Sequence, residues 1–226
     1  MEGFHALKHA VRFGAEVATA VTADPDGVRE LARALAPDVA ERLESLLQPV
    51  TRAELRALAP RAHHTEVLAL ARRPQIDLPP ALAARPDAPA VLLEDPRHLG
   101  NVGAVVRVAA AADAAAVLTT GAVDPWDPQA LRGAAGLHFA LPVARVDAVP
   151  RGRPLVALDP DGEDLFTPGA VPPGALLAFG TERHGLSRAL LDAADARIRI
   201  PMRAGVSSLN LATAVAAVLY AARPAT

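Results

Sequence analysis

The stretch 92-LLEDPRHLGNVGAVVRVAAAA-112 decides how this chain is read. Residues 91–93 form an apolar run of the kind found in a buried strand. It breaks at Glu94-Asp95-Pro96 into a short turn carrying Gly100 and Gly103, and a helix rich in Ala and Val follows over about 102–112. Strand, glycine-bearing turn and helix N-terminus together make a common holder for an anionic or nucleotide-like ligand, because the first N–H groups of a helix have no intrahelical acceptor. One charge, Arg107, stands in the first two helical turns, six residues after Asn101. An isolated guanidinium in so apolar a helix is a candidate functional group, with a plain surface arginine as the alternative.

Downstream of this stretch, strands near 116–119, 138–143, 155–158, 175–179 and 197–200 alternate with helices at 128–134 and 187–191. A last helix carries Leu211, Val215, Val218 and Leu219 on one face and is expected to be capped by Ser207 or Ser208. This alternation predicts an α/β fold with a parallel sheet covered by helices on both faces. Upstream, helices at 3–13, 28–35, 39–46 and 52–58 and strands at 16–22, 49–50 and 66–71 describe a smaller α/β unit. Thr51 and Glu54 form a capping-box pattern at the start of its last helix. Between the two, Pro74, Pro79, Pro80, Pro86 and Pro89 predict an extended linker with no regular helix. The expected organisation is a small α/β unit over 1–74, a Pro-rich linker over 75–89 and a larger α/β domain over 90–226, without internal repeats.

Composition narrows the chemistry. A formal net charge of −2 argues against nucleic-acid binding through a broad basic face, so any such role rests on a local arginine patch. The chain has no cysteine, which removes disulfides, thiolate metal sites and cysteine nucleophiles. Neither a signal-like N-terminus nor a membrane-length apolar run is present, so a cytoplasmic chain with no membrane partner is expected. His5 and His9 share a helical face without a third ligand in view, and no metal site is expected. His63-His64 reads as loop. Trp126, the single tryptophan, is either a packed loop anchor or a base-stacking platform. Arg72-Arg73 and residues 151–153 are either nucleic-acid-facing or simply solvated.

Three stretches carry chemistry: Asn101 to Arg107 (NVGAVVR), Phe179 to Ser187 (FGTERHGLS) and Gly205 to Asn210 (GVSSLN). In an open parallel sheet all three fall at strand carboxyl ends, where ligands bind. Taken in order, they resemble the three signature motifs of the SpoU/TrmH-type RNA ribose 2′-O-methyltransferases of the SPOUT class. Asn101, Gly103 and Arg107 match N-x-G-x-x-x-R. Gly180, Thr181, Glu182, Gly185, Leu186 and Ser187 match G-[ST]-E-x-x-G-L-[ST]. Ser208, Leu209 and Asn210 match S-L-N, preceded by Ile200-Pro201-Met202 where the family commonly has I-P-M. The likeness covers residues 91–223. It departs at the turn after Asp95-Pro96, which is about three residues longer than the family's D-P-x-N. Residues 1–74 are similar, more loosely, to the family's ribosomal-protein-like substrate-binding extension, on 3–10 and 64–71.

The resemblance implies a trefoil-knotted methyltransferase domain, S-adenosylmethionine as donor, a ribosomal or transfer RNA substrate, and a homodimer with active sites at the subunit interface. It assigns catalysis to Asn101, Arg107, Glu182, Ser208 and Asn210. Donor contacts fall around Thr120, Gly121, Phe179, Gly180, Ile200 and Leu209. The family position of Arg107 is often assigned to activating the 2′-hydroxyl, whereas a guanidinium, lacking an acceptor and with a pKa above roughly 12, is better suited to clamp a phosphate; both roles stay open. Two other readings stand beside this one. A nucleotide-cofactor oxidoreductase is suggested by the glycine turn, but it lacks G-x-G-x-x-G and leaves Glu182 and residues 208–210 unexplained. A catalytically silent RNA-binding relative shares the motifs without the reaction.

Overall fold

Two sheets organise the protein, one of three strands and one of six. The structure is a computed structural model and describes residues 1–59, 63–181 and 184–222. The N-terminal unit starts with α1 (Phe4–Arg12), an amphipathic helix that turns Phe4, Leu7, Ala10 and Val11 inward. Together with α2 (Pro25–Leu35) and α3 (Ala40–Leu46) it covers β1 (Val17–Thr22), flanked by β2 (Leu47–Pro49) and β3 (Val67–Ala71). β1 runs parallel to β2 and antiparallel to β3. The capping box appears as expected at α4 (Arg52–Leu58): the Glu54 N–H donates to Thr51 Oγ1 at 3.2 Å and the Thr51 N–H to the Glu54 carboxylate at 2.7 Å.

The proline-rich stretch is not extended throughout. It holds a short helix, α5 (Leu78–Ala83), with prolines in the first turn, where a missing N–H sacrifices no intrahelical bond. Arg153, expected on the surface, pins this stretch in place. Its guanidinium donates to the carbonyls of Leu82 and Arg85 at the end of α5, and to those of Ala88 and Gly174, at 2.6–3.0 Å.

The larger sheet follows. In chain order come β4 (Ala90–Leu93), α6 (Leu99–Ala111), β5 (Val117–Thr119), α7 (Pro128–Gly133), β6 (Val143–Arg145) and β7 (Leu155–Asp164), then β8 (Leu176–Phe179), α8 (Arg188–Ala193), β9 (Ala196–Arg199) and α9 (Leu211–Ala221). The strands are parallel in the order β6-β5-β4-β8-β7-β9, as the alternation of elements predicted. Each residue of β4 is buried because helices lie on both faces. Val91 and Leu93 pack with α6, α7 and α9, whereas Ala90 and Leu92 pack towards α5 and α8. The chain leaves β4 in one direction, through β5 to β6, and returns on the other side as β7 and β8. The order therefore reverses between β4 and β8, and their carboxyl ends flank the crevice that such sheets use for ligands.

Two expected elements are displaced. The strand expected at 138–143 is a 3₁₀ turn at Leu137–Phe139, with β6 following it. Its apolar pattern belongs to an anchor: His138 is fully buried, donates from Nε2 to the Pro125 carbonyl at 2.7 Å and packs on Trp126. Burial holds this imidazole down to about 4, so it is neutral at pH 7. The last helix is capped by Asn210, whose side-chain oxygen accepts from the N–H groups of Ala212 and Thr213; neither Ser207 nor Ser208 caps it. No described helix is long and apolar enough to cross a membrane.

Four carbonyls depend on one guanidinium, so replacing Arg153 by Ala is expected to cost about 2 kcal/mol, a melting-temperature loss of about 4–8 °C in thermal unfolding. Replacing the exposed neighbour Arg151 by Ala should change stability by under about 0.5 kcal/mol.

Candidate active site at the ends of strands β4 and β8

The link from β4 to α6 is tighter than the sequence suggests. Asp95 sits at φ 43°, a left-handed conformation that Asp tolerates, and its N–H donates to Thr120 Oγ1 at 3.0 Å. His98 then occupies the cap position and α6 begins at Leu99, about one turn earlier than expected. Part of the apparent extra turn length is thus helix. Gly100 and Gly103 lie inside α6, so no glycine-rich loop cradles a ligand here. Gly103 serves packing instead: a Cβ there would stand 2.2 Å from the Ala130 carbonyl of α7.

Two contacts tie the 92–112 stretch, which carries the first motif, to the second and third. The Glu94 N–H extends the ladder from β4 to the Phe179 carbonyl at 2.9 Å. Its carboxylate reaches across the crevice and accepts from both the N–H and the Oγ of Ser187, each at 2.6 Å. Ser187 in turn caps α8 through the Leu190 N–H. Charge-assisted bonds of this kind are worth about 1.5–3 kcal/mol when shielded, and less at this partly open site. The second contact is Asn210 Nδ2 donating to Asn101 Oδ1 at 3.3 Å, which ties the start of α9 to the start of α6. Within the second motif stretch, Thr181 and Gly185 exchange reciprocal backbone bonds at 3.1 and 3.0 Å.

These contacts frame two adjoining hollows. One is a cleft of about 590 Å³ with a largely apolar wall from Leu158, Phe179, Ile200, Leu209 and Leu211 and with Gly180 and Ser208 on its lining. At its floor the nearly buried Asp159 carboxylate meets Arg197 at 3.2 Å. The other, about 900 Å³, carries the polar side chains of Glu94, His98, Asn101 and Asn210 on its walls. Thr181 and Gly185 line both, so the hollows share a wall.

The candidate residues distribute unevenly. Phe179, Gly180, Ile200, Ser208 and Leu209 meet in the first cleft, and Asn101 and Asn210 in the second. Thr120 and Gly121 lie apart, because β5 is on the far side of β4 from β8. Thr120 lines a different hollow with Glu94 and Arg153, and Gly121 lines neither cleft. Arg107 is exposed and lines neither hollow. It follows Asn101 by six residues, which is about 240° around the helix, so within one chain Asn101 does not hold it. Glu182 lies outside the described residues. Trp126 is no stacking platform: it is buried, its indole N–H donates to the Val143 carbonyl at 2.9 Å, and Arg73 covers it. Sequence reasoning passed over Glu94 and Asp159. Each is a carboxylate at or just past an apolar strand run, and that position was the available signal.

Residues 88–220 match the model of the SpoU rRNA Methylase family. Among curated proteins, the chain is 36% identical over 147 residues to a 23S rRNA (uridine(2479)-2′-O)-methyltransferase of Streptomyces viridochromogenes, covering 58% of this chain and 51% of that protein. It is 33% identical over 143 residues to the 23S rRNA (guanosine(2553)-2′-O)-methyltransferase RlmP of Bacillus subtilis, covering 58% and 56%. The chain thus spans about half the length of these curated relatives. The whole fold resembles the crystal structure of the SpoU methyltransferase AviRb from Streptomyces viridochromogenes in complex with the cofactor AdoMet. That match has a TM-score of 0.78 and 28% identity, over 98% of this chain and 88% of that one.

The double role of Asn210 can be separated. Asn210→Ala should cost about 1 kcal/mol in thermal unfolding through loss of the cap, while Asn210→Ser, which still caps but is too short to reach Asn101, should stay within a few tenths.

Proposed function

Because the chain belongs to the SpoU rRNA Methylase family, we propose that it methylates a ribose 2′-hydroxyl of ribosomal or transfer RNA in the cytoplasm, using S-adenosylmethionine and acting as a homodimer. The observation that carries this reading is the pair of hollows with a common wall at the β4/β8 crevice: one of nucleoside size walled by Leu158, Phe179, Ile200 and Leu209 beside one that carries the Asn101 and Asn210 amides. The first cleft fits the donor. Its apolar side chains would take a flat ring system, backbone at Gly180 and at 200–202 lies on the same lining for polar edges, and Asp159 adds a carboxylate. Phe179, Gly180, Ile200 and Leu209 would hold the donor there, which when bound supplies an electrophilic methyl group.

Transfer to a hydroxyl is an in-line displacement, so holding the two partners in register supplies much of the rate. Asn101 and Asn210, fixed to each other, orient the acceptor ribose from the polar hollow, and Ser208 stands on the donor side of it. Glu182 is assigned to catalysis by its motif position. The acceptor oxygen must lose its proton as the new bond forms. Arg107 cannot readily take it, since a guanidinium has no acceptor, and its fork suits the adjacent phosphate.

The homodimer in this reading draws support from the same geometry. Arg107 lies outside both hollows of its own chain, which is the arrangement expected if a second copy supplies it. The exposed Tyr220 and the half-buried Ala216 and Ala217 give α9 a face for that copy. The trefoil knot in this reading rests on membership of the family, and β7 itself meets β9 twice. Both Leu158 and Glu163 pair with Ile198, and Gly162 passes so close that a Cβ would stand 2.6 Å from the Ile198 backbone. The division into a substrate-binding unit over 1–74, a linker over 75–89 and a methyltransferase domain over 90–226 is supported by the separate core of the three-stranded sheet.

Calorimetry and methyl transfer to bulk ribosomal and transfer RNA test this reading. Arg107→Ala is expected to keep donor binding and to lose at least about 100-fold in transfer rate, about 2.7 kcal/mol of barrier. Transfer near the wild-type rate contradicts its role, and absence of donor binding by the wild-type chain contradicts the reading. Donor binding without transfer to either RNA favours the silent relative.

A further inference from the structure

Methyl transfer to a hydroxyl releases a proton, and a group beside the acceptor must take it. Such a group needs an uncommitted lone pair and a place on the wall of the hollow that holds the ribose. Arg107 has neither, since it lines neither hollow. The amide oxygens of Asn101 and Asn210 accept hydrogen bonds but are too weakly basic to be protonated. Among the described residues of the second hollow, the side chains with a basic lone pair are Glu94, Asp95, His98 and His184. Both oxygens of Glu94 already accept from Ser187, each at 2.6 Å. Asp95 accepts from the Arg97 guanidinium of its own turn at 2.5 Å. Two imidazoles are left.

His98 is the one fixed to the acceptor-binding amides. It precedes Asn101 by three residues, a spacing that makes side chains neighbours along a helix. The Asn101 N–H donates to the His98 carbonyl at 2.9 Å, and the Val102 N–H donates to the same oxygen at 3.1 Å. Asn101 in turn is bonded to Asn210. The His98 side chain makes no cap bond to α6, and among the described residues its exposed ring has no hydrogen-bond or ion-pair partner. His184 belongs instead to the segment between β8 and α8, where its N–H donates to Thr181 Oγ1 at 3.2 Å, and no described bond ties it to either amide.

We propose that His98 is the general base of the methyl transfer. This rests on the reading of the chain as an RNA 2′-O-methyltransferase. The acceptor hydroxyl, oriented by the Asn101–Asn210 pair, donates its hydrogen bond to a ring nitrogen of His98. As the oxygen bonds to the methyl carbon and the carbon–sulfur bond breaks, the O–H proton passes to that nitrogen. The sulfur is left as a neutral thioether and the positive charge moves to the imidazolium, which then gives its proton to water. Glu94, on the same wall, offsets the charge that the ring gains. The lengthened turn between Asp95-Pro96 and Asn101 thus supplies an imidazole to the wall of the hollow.

The test is single-turnover methyl transfer by the full chain, with S-adenosylmethionine and bulk ribosomal or transfer RNA at saturation, beside calorimetry of donor binding. His98→Ala is expected to lose at least about 100-fold in transfer rate. Its donor affinity and circular dichroism spectrum should match wild type, because the ring holds no bond in the fold. Added imidazole is expected to raise the His98→Ala rate at least about tenfold and to leave wild type unchanged. His98→Gln, which can hydrogen-bond but cannot take the proton, should stay as slow as His98→Ala. Transfer by His98→Ala within about twofold of wild type overturns the proposal. So does full recovery in His98→Gln, which would make His98 a positioning residue, and so does a loss that imidazole restores in His184→Ala but not in His98→Ala. All three leave wild-type transfer intact. A wild-type chain that methylates neither RNA instead overturns the underlying reading, and this proposal with it.

Discussion

Parallel pairing of β4 with β8 is the constraint on which the rest of the structure depends. These two strands are far apart in sequence and adjacent in space, in register from Ala90↔Leu176 to Leu93↔Phe179. Parallel strands present their carboxyl ends on one edge, so the turns after β4 and β8 are forced to face each other. β9 ends on the same edge and adds the third stretch. Only short side chains are then needed to join them. Glu94 closes the gap to Ser187, and Asn210 closes the gap to Asn101. The site is therefore a product of sheet order first and of motif residues second.

Much of this was legible in the sequence, for physical reasons. Residues 90–93 and 176–179 are uninterrupted apolar runs because both faces of the sheet are covered. The Thr51/Glu54 box reads directly because it is a local, reciprocal contact. What was misread depends on tertiary neighbours. Gly103 looks like a ligand-cradling glycine until Ala130 is seen against it. Arg153 looks like surface charge until the carbonyls it collects from four separate residues come together. Ser207 and Ser208 are good caps by type, but Asn210 stands where the helix starts. Thr120 follows a strand, as a ligand contact should, yet that strand lies on the wrong side of β4.

Charge shows the same division between composition and place. A net charge of −2 argues against a broad cationic face. Most arginines are in fact matched by carboxylates, as in Arg73–Asp124, Arg85–Asp113 and Arg72–Glu16. Among the described residues Lys8 and Arg107 have no carboxylate within salt-bridge distance, and they are carried by α1 and α6, the two helices that meet the 3₁₀ turn at Leu137–Phe139. Surface pairs of this kind contribute little stability each, so their arrangement matters here mainly for where it leaves positive potential uncancelled.

The measurement that bears most directly on the central claim is a crystal structure of the chain with S-adenosylmethionine bound. The adenosine is expected in the cleft between Phe179, Ile200 and Leu209, with the methyl group directed past the shared Thr181–Gly185 wall towards Asn101 and Asn210. Density for the donor in the hollow lined by Thr120 and Arg153, or against the turn between β4 and α6, would contradict it.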